Sequence, residues 1–140
     1  MAVLANARGV AVIELAMTLP LLAMLSIGAF DVSRMIAKRL DYQQAAAEVA
    51  TLAIAKPPQT DTAYLKTAAA TASGLDPSQI TVTLSMTCNG AASTNAACGA
   101  GEEQARYVTL TLNGQYVPVW THFGVSQTVN MTVTRKMRYQ

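Results

Sequence analysis

Few residues in this chain carry reactive chemistry, and the most informative is an acid in an apolar setting. Glu14 is the single charge in residues 10–30, VAVIELAMTLPLLAMLSIGAF. A charged side chain at the centre of a bilayer costs about 2.5–3.5 kcal/mol on insertion scales, and less near the interface. That cost calls for a partner. Arg8 and Gly9 stand directly before the run. Glycine lets an enzyme approach the backbone closely, and cleavage after Gly9 would leave an ammonium on Val10. Glu14 of a neighbouring chain would then pair with it. The plainer reading is a carboxylate that snorkels to the interface, about one turn from that end.

The remaining candidates are sparse. Cys88 and Cys98 bracket NGAASTNAA, a loop of small polar residues. Outside the cytoplasm such a pair is expected to form a disulfide, which would stabilise the fold by about 3 kcal/mol through loop closure. Two free thiols is the alternative. His122 is the only histidine and has no carboxylate or cysteine beside it in sequence. Glu102 and Glu103 are adjacent in a glycine-rich loop, so they should point apart into solvent. Gly99-Ala100-Gly101 lacks the following Lys-Ser/Thr of a phosphate loop. We therefore expect no catalysis, no metal site and no cofactor. The net charge of +2, with 13% charged residues, lacks the clustered Lys and Arg that nucleic acid would require.

These residues need elements to place them. A helix needs about 20 apolar residues to cross the hydrocarbon core, and residues 10–30 supply them. Pro20 should loosen the preceding turn, which membrane helices tolerate. The helical pattern continues over residues 31–56, which hold no Gly or Pro, with Met35, Tyr42, Ala46, Val49 and Ala53 on one stripe. Asp31, Arg34, Lys38, Arg39 and Asp41 mark the exit from lipid to water. Pro57-Pro58 ends the helix. Asp61 and Gly74 read as the caps of a short second helix, and Asp76-Pro77-Ser78 as a turn.

From Gln79 the period becomes two. Ile80, Val82, Leu84 and Met86 form one apolar face, and Val108, Leu110 and Leu112 another. Asn113-Gly114 reads as a type I′ hairpin turn into a strand QYVPVW, with Pro118 confining that strand to an edge. Residues 127–138 form a last strand with Val129, Met131 and Val133 on one face. The expected fold is α+β: a long N-terminal transmembrane helix continuing into a domain with a short helix and a three- to four-stranded antiparallel sheet. The Ala-rich half of the long helix is the cover for that sheet.

Over residues 8–56 the chain resembles a known family. Gly9, Glu14 at the fifth position after it, and the apolar helix beyond are similar to the processing site of type IV pilins. The continuation VIELAMTLPLLAMLSIGAFDVSRM and the Ala-rich helix resemble TadE-like minor pilins, or pseudopilins, of the tight-adherence pilus. The resemblance implies a leader over residues 1–9 removed by a prepilin peptidase, a transmembrane helix over 10–30, its extramembrane continuation over 31–56, and an extracytoplasmic domain over 57–140. It implies Gly9 and Val10 as the processing site, Glu14 as an assembly residue, and membrane lipid, other minor pilins, the major pilin and an assembly platform as partners. Leu15 stands where the family's major pilin usually has Tyr, and a whole domain is appended, so a minor subunit of the bacterial inner membrane is implied.

Two other readings compete. A secretory signal peptide would use Arg8 and end near Ser26-Ile27-Gly28, but the run exceeds the usual h-region of about 7–15 residues and carries Glu14. A plain single-span anchored domain would leave Gly9 unprocessed. Arg34, Lys38 and Arg39 outnumber Arg8, which opposes an outward C-terminal domain under the positive-inside rule; the cysteine loop and the leader argue the other way.

Overall fold

The computed structural model describes residues 7–94, 97–124 and 127–140. Helix α1, Ala7–Ala55, is unbroken through Pro20. At 1.5 Å per residue it is about 70 Å long. It ends just before Pro57-Pro58, as the restriction that proline places on the preceding residue requires. Helix α2, Ala63–Ser73, follows; Asp61 Oδ1 accepts from Ala63 N at 2.8 Å, with Thr62 in the N-cap position, and Gly74 takes the left-handed conformation at the C-cap. The Tyr64 hydroxyl donates to the Lys56 carbonyl, satisfying one of the orphan acceptors at the end of α1. Asp76-Pro77-Ser78 opens a short 3-10 turn, Pro77–Gln79, closed by a reciprocal capping box between Asp76 and Gln79.

Four antiparallel strands follow: β1 Ile80–Cys88, β2 Ala91–Ser93, β3 Gln104–Tyr116 and β4 Val129–Arg138, in the order β2-β1-β3-β4. The architecture is α+β. The outer half of α1 lies on one face of the sheet, and the predicted stripe meets it there. Tyr42, Ala46, Val49 and Ala53 are buried against Leu65, Ile80, Val108, Leu110, Leu112 and Met131, with Met35 packed at the margin. Alanine on the helix lets the backbone approach the sheet closely, so branched side chains from the strands fill the layer between them.

Two local features correct the sequence reading. Asn113-Gly114 is not a turn. β3 runs straight through it, with Asn113 paired to Thr132 and Gly114 to Met131. QYVPVW is not a strand either: Gln115 and Tyr116 complete β3, and Val119–Phe123 form a 3-10 turn after Pro118. The reason is packing. A Cβ on Gly114 would lie 2.3 Å from Tyr42 Cε2, so the glycine is the seat of the Tyr42 ring and the strand has no need to turn there. The type I′ hairpin falls instead at the chain's other Asn-Gly pair. Asn89 has φ 49° and Gly90 φ 81°, between Cys88 and its partner Ala91.

That hairpin sits inside the cysteine loop, so the segment expected to be irregular contains β2. Cys88 and Cys98 are bonded, with Cα atoms 5.5 Å apart. Glu102 lies close to both sulfurs but accepts from Gly99 N at 2.8 Å, and sulfurs bonded to each other offer no thiolate to a metal. Glu103 points elsewhere, to Arg138 at 3.3 Å. Alkylation of membrane-extracted protein without reductant should label neither cysteine. After reduction it should label both, with a stability loss of about 3 kcal/mol. Full labelling before reduction would place the loop in a reducing compartment.

Candidate functional site

The sequence concentrates its unusual chemistry in the inner half of α1, and the structure leaves that half bare. Val10, Val12, Ile13, Leu15, Met17, Leu19, Leu21, Leu22, Met24 and Leu25 are all exposed. In water that surface would be strongly unfavourable, at roughly 25 cal/mol for each Å² of apolar area. The helix is long and apolar enough to cross a membrane, and its apolar window has no cover from the domain. It fits a single-pass anchor. Its hydroxyls suit lipid as well. Thr18 donates to the Leu15 carbonyl at 3.2 Å and Ser26 to the Leu22 carbonyl at 2.8 Å, so neither needs water.

Gly9, Val10 and Glu14 lie at the start of this bare helix. A Cβ built on Gly9 would meet nothing within 4 Å. Among the described residues, no packing therefore asks for glycine at this position. Glu14 is exposed, one turn beyond Val10, and no cation reaches it among the described residues. Residues 1–6 of the expected leader lie outside the described residues. His122 is exposed in the 3-10 turn after Pro118, remote in sequence from every other candidate.

The junction of anchor and head holds a residue whose role the sequence did not reveal. Asp31 reads as the first charge to meet water. Instead it is only 6% exposed. Its Oδ1 accepts from the Tyr116 hydroxyl at 2.6 Å and its Oδ2 from the Val119 amide at 2.8 Å. Tyr116 also reaches the Asp31 carbonyl at 3.2 Å. The end of β3 and the following 3-10 turn are thereby tied to α1 at the level where the apolar span ends. No spacing rule links residues 31, 116 and 119; the signal was only an acid immediately after an apolar run. The Tyr116 hydrogen bond, with the Val119 and Trp120 amides, holds the Asp31 carboxyl below the ordinary carboxylate value, and the Asp31 carboxylate pushes the Tyr116 phenol up.

The sign of the pH effect follows. A depressed carboxyl contributes its stability in full above the unfolded-state value of about 3.9, and loses it as pH falls through the lower folded-state value. Acidification should therefore loosen the junction, read as a fall in the protection of the Val119 amide relative to its intrinsic exchange rate, with little change in that protection between pH 5 and 8. Asp31→Ala should speed that exchange on the order of tenfold at neutral pH, because both donors lose their acceptor. Asp31→Asn can keep both contacts if its oxygen accepts from the Val119 amide and its NH2 donates to the Tyr116 hydroxyl oxygen, and it should lack the acid response. Val119 exchange unaltered in Asp31→Ala would remove the tie from this account.

A bare membrane-length helix joined to an α+β head, with a buried carboxylate tie at the junction, fits a single-pass anchor carrying a folded domain. Comparison with known families then gives it a narrower place. Residues 9–51 match the family model described as TadE-like protein. The match starts at Gly9, takes in Glu14 and Asp31, and stops within the part of α1 that packs on the sheet; over this segment the chain is similar to that family. No curated protein and no solved structure matches the chain.

Proposed function

We propose that this chain is a minor pilin, or pseudopilin, of a tight-adherence pilus, held in the bacterial inner membrane by residues 10–30 with its head outside the cytoplasm. The observation that carries this reading is the coincidence of the TadE-like match with the bare helix: it opens at the glycine expected to be cleaved and includes the one intramembrane acid. A prepilin peptidase removes residues 1–9. The Val10 ammonium and Glu14 then serve helix-to-helix docking with other minor pilins and the major pilin on the assembly platform, and the disulfide-closed head extends from the membrane. The role is structural, with neither catalysis nor cofactor. Co-purification from membranes of a piliated cell tests it. The chain should carry other pilins with it, and substitution of Glu14 should release them. Recovery of the chain alone from both proteins would leave an anchored domain without a filament role.

A further inference from the structure

We propose that Arg34, Lys38 and Arg39 form a basic collar that binds the headgroups of acidic phospholipids where the helix leaves the bilayer. The proposal rests on reading residues 10–30 as the span. Three observations carry it. The first is position: at 1.5 Å per residue, Arg34 lies about 6 Å beyond Phe30 and Arg39 about 14 Å, while the headgroup layer adds about 5–8 Å to each face of the hydrocarbon core. Helical side chains lean toward the N-terminus, here toward the bilayer. Arg34 does so, its guanidinium carbon 5.6 Å from the centroid of the Phe30 ring at the end of the span, whereas Lys38 leans outward over Tyr42 and forms the outer edge of the collar.

The second observation is charge that is compensated only in part. The nearest acid, Asp31, is buried and hydrogen-bonded to Tyr116 and Val119; the Arg34 charge reaches it, but Lys38 and Arg39 form no ion pair with it. Asp41 follows one turn further out, yet the ion pair of the described residues is Arg138–Glu103, far along the sheet. Lys38 stands over the Tyr42 ring at 5.3 Å, and Arg34 and Arg39 are exposed. The third is that apolar surface persists among the cations. Val32, Ile36 and Leu40 are exposed, and Arg39 rims a groove of about 360 Å³ lined by Met35, Ile36, Val129 and Met131 together with the polar Asn130 and Thr132. Cations interleaved with exposed apolar side chains are the pattern of a segment lying in a membrane interface. A phosphodiester takes the cations, and its glycerol and upper acyl carbons take the groove. A neutral headgroup would leave the charge unmatched. The collar also gives these cations a use on the outer side, where the positive-inside rule makes them costly.

The test uses the full chain in nanodiscs of equal phosphatidylglycerol and phosphatidylethanolamine, released into native mass spectrometry, with the retained lipids counted. The expected result is enrichment of phosphatidylglycerol by about fivefold, the factor one Lys or Arg contributes at an anionic surface. Enrichment should fall to parity in Arg34→Gln/Lys38→Gln/Arg39→Gln. It should survive in Lys66→Gln/Arg135→Gln/Lys136→Gln, which removes the same charge from the head. Equal retention of the two lipids by the unaltered chain, or enrichment that persists in the collar variant, overturns the proposal. Displacement of the lipid by inorganic phosphate at constant ionic strength also overturns it, in favour of a free-anion site. Resistance to alkaline extraction is measured alongside: resistance without lipid preference sinks the collar alone, whereas release by alkali sinks the span and the collar together.

Discussion

Valine in place of Gly114 should collapse the packing of the head, with a loss of about 3–5 kcal/mol, the range for losing an aromatic side chain from a core. Strand propensity alone favours valine over glycine in a paired β position, so the expected loss runs against the local preference. It comes from Tyr42. A Cβ at residue 114 would lie 2.3 Å from Tyr42 Cε2, 2.4 Å from its hydroxyl oxygen and 2.5 Å from Cζ. Tyr42 is 1% exposed and central to the contact of α1 with the sheet. Its ring is rigid and held on both sides, so either the helix lifts from β3 or the tyrosine leaves the core. Alanine should already be damaging, because its methyl is the clashing atom. Tyr42→Ala should partly rescue Gly114→Val, giving a coupling energy of about 1–3 kcal/mol in a double-mutant cycle. Thermal unfolding of the full chain in detergent reads all four proteins. An unchanged melting temperature in Gly114→Val, or strictly additive losses, would refute the Tyr42–Gly114 contact.

Loss of Glu14 should weaken assembly about 5- to 30-fold while leaving the anchor in place. Removing a charge from the apolar run should slightly improve insertion, and Gly9 and Arg8 remain for cleavage. What disappears is the partner for a Val10 ammonium. Opposite charges about 4 Å apart attract by roughly 4 kcal/mol at an effective dielectric of 20, before desolvation is subtracted. A net 1–2 kcal/mol is about a 5- to 30-fold change in an equilibrium, enough to be visible in assembly. Glu14→Ala and Glu14→Gln should therefore both reduce surface pili and co-purified pilins, with mature protein still in the membrane. The exposure of Glu14, and the absence of a cation near it among the described residues, leave the carboxylate available for this. Normal piliation in both variants would reduce Glu14 to a snorkelling side chain.

The periodic parts of this fold were legible and the tertiary exceptions were not. The stripe through Tyr42, Ala46, Val49 and Ala53, and the alternation through Ile80 and Leu112, report one buried face each, and burial is what periodicity encodes. The two Asn-Gly pairs show the limit. Each is compatible with a type I′ turn, yet only Asn89-Gly90 turns. Gly114 is glycine because a ring from a helix distant in sequence lies on it, which no local window contains. Asp31 failed for the same reason. Its ligands are 85 and 88 residues away, so it read as a solvated boundary charge. The expectations at Gly9, Val10 and Glu14 rest on a local pattern, a charge inside an apolar run at a fixed distance from a glycine, and the fold of one chain leaves these residues exposed.

The most direct test of the pilin reading is the mass of the intact protein extracted from native membranes. The expected species begins at Val10, carries the Cys88–Cys98 bond, and reverts to the uncleaved chain when the prepilin peptidase is deleted. A protein retaining Met1 in a cell with an active peptidase, or one beginning near Ala29 after signal-peptide removal, would contradict it.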